Sequence, residues 1–141
     1  MEHNTRRVLV VDDEPTIAHL VRASLMSADI RCDVEYCSDG IQGLARATEG
    51  RYDLITLDRN MPRMGGLDTL KAIRRNRRSA DTPVVMITAQ KDQQFERHAI
   101  ELGAAAVISK PFRPQQLATI LRAVLSRDRT DPPVPEEPSS L

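Results

Sequence analysis

Four short apolar runs and one alternating segment, each followed by apolar residues at helical spacing, constrain this chain more than any other feature. The runs are Val8–Val11, Leu54–Leu57, Val84–Ile87 and Ala105–Ile108, and the alternating segment carries Val34 and Tyr36 between Asp33 and Glu35. Ile17, Leu20, Val21 and Leu25 follow the first run at i, i+3, i+4 and i+8, one face of a helix. Ile41, Leu44 and Ala45, then Leu67, Leu70 and Ile73, then Phe95, Ala99 and Leu102, repeat the pattern after the next three. Leu117, Ile120, Leu121, Val124 and Leu125 complete it. Strands and helices therefore alternate as βαβαβαβαβα. Such a chain predicts an α/β fold, a doubly wound parallel sheet with right-handed crossovers and helices on both faces. The continuous runs suit strands buried on both faces, and the alternating segment suits an edge with one wetter face. Placing it at the edge favours strand order 2-1-3-4-5.

Local signals mark the joints. Glu14-Pro15 opens the first helix, since proline fits the first turn and an acid suits the positive end of the dipole. Ser38-Asp39-Gly40 supplies a turn and a cap for the second, and Gly50 its stop. The 141 residues suit one domain, predicted over 6–127. Aromatics make up only 3%, so its core must be aliphatic. After Arg129 the composition turns to proline, glutamate and serine, which predicts a disordered proline-rich tail over 128–141.

Several function classes are disfavoured. Lys+Arg and Asp+Glu balance at 20 each, so no global field draws nucleic acid or a membrane. No DNA-reading segment is recognisable, and no apolar stretch approaches the roughly 18 residues of a membrane span. Met1 to Arg7 lacks the apolar core of a secretory signal, and a cytoplasmic location is expected. Cys32 and Cys37 read as reduced structural thiols, because an extended strand between them holds the sulfurs too far apart to bond. Arg74, Arg75, Arg77 and Arg78 read as charges placed at the negative end of the third helix.

Chemistry concentrates at the predicted strand ends. Asp12 and Asp13 follow the first predicted strand, Asp58 the third, Thr88 the fourth and Lys110 the fifth. In an open parallel sheet these ends share one edge, where such sheets bind ligands. Three carboxylates side by side need a cation to offset their charge. A hard ion such as Mg2+ (or Mn2+) takes oxygen ligands of this kind, and Lys110 is the fixed counter-charge. A carboxylate facing such a site can act as a nucleophile and form an aspartyl-phosphate. Thr88 can give a hydroxyl, and Lys110 a charge-assisted bond, to phosphoryl oxygens.

The segments Val10-Val11-Asp12-Asp13-Glu14-Pro15, Leu57-Asp58-Arg59-Asn60-Met61-Pro62-Arg63-Met64-Gly65-Gly66, Ile87-Thr88-Ala89, and Gly103-Ala104 followed by Lys110-Pro111-Phe112 carry a family resemblance. In this order and at these separations they resemble the CheY-like receiver domains of response regulators. The resemblance covers about residues 6 to 127. It implies a flavodoxin-like (βα)5 fold and a role in two-component, or phosphorelay, signalling. Asp58 would accept a phosphoryl group from a phosphohistidine on a histidine kinase or a histidine phosphotransfer protein. Asp12, Asp13, Asp58 and the backbone carbonyl of Asn60 would hold Mg2+. Thr88 and Lys110 would bind phosphoryl oxygens, small Ala89 would leave the donor a path, and Asn60 and Gln90 would flank the site. The domain would be a phosphoacceptor, catalysing only its own phosphorylation and slow dephosphorylation.

Val107 departs from the family pattern. Receivers commonly carry an aromatic three residues before the lysine, which rotates inward when the threonine moves; valine is short and stiff at χ1. Output through the face of the fourth helix, fifth strand and fifth helix is expected, with Gln94, Arg97, Glu101, Ser109, Gln115 and Thr119 as its surface candidates. A phosphotransfer shuttle to a histidine protein is the alternative, since it needs no strong switch. A Mg2+-dependent phosphatase is a third reading, disfavoured by short loops and the lack of a substrate-gripping insertion.

Overall fold

A computed structural model describes residues 5–128 and 130–136. Its elements run β1 (Arg6–Val11), α1 (Thr16–Ser27), β2 (Cys32–Cys37), α2 (Gly40–Glu49), β3 (Leu54–Asp58), α3 (Gly66–Arg75), β4 (Val84–Thr88), α4 (Gln93–Glu101), β5 (Ala106–Ser109) and α5 (Pro114–Ser126). All strand pairs are parallel, in the order β2-β1-β3-β4-β5. This is the (βα)5 fold and strand order expected from the alternation of apolar runs and helices.

The sheet separates two apolar layers. Val8 and Val10 pack with Ile17, Val21 and Leu25 of α1 and with Leu117, Leu121 and Val124 of α5. Leu9 and Val11, the alternate residues of the same strand, pack with Ala47 of α2, Leu70 and Ile73 of α3, and Phe95 of α4. Side chains alternate across a strand, so covering both faces requires the unbroken apolar run that the sequence carries. β2, at the edge, keeps Asp33 exposed and Cys37 buried. Cys32 and Cys37 stand at opposite ends of β2 as free thiols.

Capping follows the local sequence. Asp39 accepts from the Gln42 N–H at 2.9 Å, as its place before α2 predicts. Arg74 does more than face a helix dipole. Its guanidinium donates to the carbonyls of Ala80 (3.2 Å), Thr82 (2.7 Å) and Gly103 (2.8 Å), tying the end of α3 to the approaches of β4 and β5. Gly103, at φ +100°, is in the left-handed region, and an added Cβ would meet Arg74 Nε at 2.7 Å. Gly66 answers a second close approach, since a Cβ there would overlap the carbonyl oxygen of Asp58. That glycine lets α3 begin directly against the end of β3.

The sequence expectation for the segment after α5 is a disordered proline-rich tail over 128–141. Its described part, 130–136, carries no helix or strand and lies beside β5. Val134 donates its N–H to Ala105 O at 2.8 Å, and its side chain packs against the α1–α5 layer. One aliphatic residue and one acid fasten this proline-rich segment to the open sheet edge. Residues 137–141 of the expected tail lie outside the described residues. Among the described residues no helix is long and apolar enough to cross a membrane.

Candidate functional site

Each candidate side chain reaches the site because its strand ends there. β1 stops at Val11, and the Asp12 N–H continues the pairing by donating to Cys37 O at 3.1 Å. The chain then turns into α1, and Asp12 Oδ1 accepts the Glu14 N–H at 2.9 Å. Asp12 is thereby only 1% exposed, with Oδ2 left without a hydrogen bond. Asp58 is the last residue of β3 and is 6% exposed. Asp13 is exposed at the rim. Oxygens of Asp12, Asp13 and Asp58 all lie within 4.8 Å of one another.

Lys110 enters from the far side of the sheet. Its N–H donates to Thr88 O at 2.7 Å, and its bond to Pro111 is cis. The ammonium stands 3.2 Å from Asp12 Oδ2 and 3.4 Å from Asp58 Oδ1, and donates to Glu14 Oε1 at 2.9 Å. The contact to Asp12 Oδ2 is an ion pair outside hydrogen-bonding geometry, so that buried oxygen still has an open lone pair. Thr88 is fully buried at the end of β4, where its Oγ accepts the Gln90 N–H at 3.1 Å. Ala89 and Asn60 are exposed at the mouth.

The charges do not balance. Three carboxylates and Glu14 face one ammonium. Burial, then the neighbouring Asp12 carboxylate, pushes Asp58 from its ordinary 3.8 up to about 6, and the pull of Lys110 does not overcome them. Burial also raises Asp12 above the usual carboxylate range, against the Glu14 N–H and Lys110. Burial opposes the charged form of Lys110, yet Glu14, Asp12 and Asp58 together hold it well above the usual lysine value. A half-buried acidic cluster with an unsatisfied oxygen is the donor set of a hard divalent cation. The residues present fit Mg2+ or Mn2+.

Two contributors are not evident from the sequence. Glu14, read there only as a helix-opening acid, is the closest partner of Lys110. Arg59 follows Asp58 and lies 4.2 Å over the Phe95 ring, donating to Gln90 O at 2.6 Å. It also pairs with Asp92 at 3.3 Å, so the residue beside Asp58 is fastened to the loop after Thr88. The only sequence signal for it is a charge placed directly after a site acid. Val107 is 2% exposed within the α2–α3–α4 apolar layer, and it faces neither solvent nor the acidic cluster.

The chain belongs to the response regulator receiver domain family, whose model matches residues 8–122. It is a phosphoacceptor domain of that family, with an acidic cluster suited to Mg2+ and phospho-aspartate signalling. Among curated proteins it is 37% identical over 121 residues to the "DNA-binding dual master transcriptional regulator RpaA" of Synechocystis, covering 86% of this chain and 49% of that one. It is 34% identical over 132 residues to the "DNA-binding response regulator MtrA" of Mycolicibacterium smegmatis, covering 94% of this chain and 56% of the relative. The chain thus spans about half the length of the curated relatives it matches. Among solved structures, the chemotaxis response regulator CheY4 of Vibrio cholerae superposes with a TM-score of 0.76 at 34% identity, covering 85% of this chain and 98% of that one. The receiver domain of a Pseudomonas aeruginosa sensor histidine kinase, solved with a magnesium ion in its active-site cleft, gives 0.76 at 27% identity, with coverage of 87% and 99%.

Proposed function

We propose that Asp58 accepts a phosphoryl group from a phosphohistidine on a histidine kinase or histidine phosphotransfer protein. The observation that carries this reading is the meeting of Asp12, Asp13 and Asp58 within 4.8 Å, with Lys110 against two of them. Asp12, Asp13, Asp58 and the backbone carbonyl of Asn60 would hold Mg2+, which when bound supplies positive charge against the phosphoryl oxygens. One Asp58 oxygen forms the new bond to phosphorus as the donor's P–N bond breaks, and the leaving imidazole nitrogen takes a proton from solvent. Asp58 is ionised for this at neutral pH, because its value lies near 6. Lys110 and the Thr88 hydroxyl bind the transferred oxygens, and the exposed, small Ala89 leaves the donor room.

Output follows by altered partner binding at the face of α4, β5 and α5. A shuttle that returns the group to a histidine protein is the second reading, favoured by Val107: a buried valine offers no ring to rotate between two positions. Phosphotransfer profiling against histidine kinases tests the proposal. A cognate kinase should label the chain within seconds in Mg2+, and EDTA should stop transfer. Labelling that persists in EDTA contradicts the metal assignment, and the absence of transfer from every kinase tried contradicts the partner class. Loss of the label to a histidine phosphotransfer protein selects the shuttle. A partner complex tightened by beryllofluoride selects the switch.

A further inference from the structure

β5 is the open edge of the sheet, and this chain covers it with its own residues. Val134 is bonded to Ala105, the residue before β5. At the other end Glu136 Oε2 accepts the Ser109 N–H at 3.2 Å and the Ser109 hydroxyl at 3.0 Å. The second carboxylate oxygen accepts from Lys91 Nζ at 2.7 Å. The segment thus spans β5 from the residue before it to its last. A groove of about 480 Å³ runs beside it, walled by Pro133–Pro135 and by Glu96, Arg97 and Ile100 of α4. Among the described residues, this is how the edge amide of Ser109 is satisfied. Both anchors adjoin the phosphoryl-binding loops: Lys91 is three residues beyond Thr88, and Ser109 immediately precedes Lys110.

We propose that the β5 edge, with Lys91 and Ser109, is a binding site for an extended acidic peptide, and that residues 133–136 are its resident occupant. The recognised chemistry is an aliphatic side chain followed two positions later by a carboxylate. The aliphatic group seats on the α1–α5 layer. The carboxylate meets an ammonium, an amide and a hydroxyl together, a set that a neutral residue cannot fill. A partner using this face must displace the segment, so the chain carries its own competitor for its output surface.

The test uses the full chain without phosphodonor, so its failure and that of the Asp58 assignment are distinguishable. Hydrogen exchange at the Ser109 amide is compared between the native chain and the double variant Val134→Asp, Glu136→Ala. A labelled peptide of residues 130–136 is then titrated into both. Exchange at Ser109 should be at least tenfold faster in the variant. The peptide should bind the variant at least tenfold more tightly than the native chain, and adding Lys91→Glu should abolish that binding. Equal Ser109 exchange in the two chains overturns the proposal. So does peptide binding that is absent, equal in the two chains, or indifferent to Lys91→Glu.

Discussion

Replacing Asp58 by Asn should stabilise the metal-free protein at pH 7 by about 2–3 kcal/mol while removing its phosphoryl acceptor. The magnitude follows from burial and Asp12 raising Asp58 from 3.8 to about 6 in the folded chain. A carboxyl raised on folding binds more protons folded than unfolded between those values. Its contribution is fully present below about pH 4 and is lost as pH rises through about 6. The wild-type protein in EDTA should therefore weaken across that window, and the Asn variant should weaken less. Saturating Mg2+ should close most of that gap, since a ligand at a hundred times its Kd adds about 2.7 kcal/mol to the form that binds it. Urea unfolding from pH 4 to 8, with and without Mg2+, reads both effects. A variant less stable than wild type in EDTA at pH 7 contradicts the electrostatic account.

Lys110→Ala should act in the opposite direction, costing roughly 3 kcal/mol at pH 7 without divalent cation. The lysine side chain is 14% exposed and stands within 3.4 Å of Asp12, Glu14 and Asp58. Removing it leaves their charges facing one another in a half-buried site. Because its folded value lies above the usual lysine range, its contribution is fully present at neutral pH and is lost only as pH rises through that value in strong alkali. The deficit of the Ala variant should shrink towards pH 4, where Asp58 protonates, and shrink again on adding Mg2+. A deficit unchanged by both acid and Mg2+ would mean that Lys110 acts by packing instead of charge.

Much of this was legible in the sequence because it depends on period and strand ends. Val8–Val11 reads as a doubly covered strand, and alternate residues do enter the two layers. Asp12, Asp13, Asp58 and Lys110 read as one site because parallel strands must end together. What was not legible depends on side-chain reach. Glu14 meets Lys110 across 96 positions of sequence, and Arg59 meets Gln90 across 31. No periodicity encodes either contact. Arg74 read as a dipole partner because its helix position is visible, whereas the carbonyls it gathers belong to later loops. The segment over β5 read as solvated because prolines dominate it, while among the described residues Val134 and Glu136 bond it to the β5 edge.

The most direct measurement of the central claim is the site of phosphoryl attachment. The chain is incubated with a small phosphodonor and Mg2+, and the product is followed by intact mass and by peptide mapping after trapping the acyl phosphate. One phosphoryl group, labile to hydroxylamine and located on Asp58, is the expected result. Attachment at any other residue, or none, would contradict it.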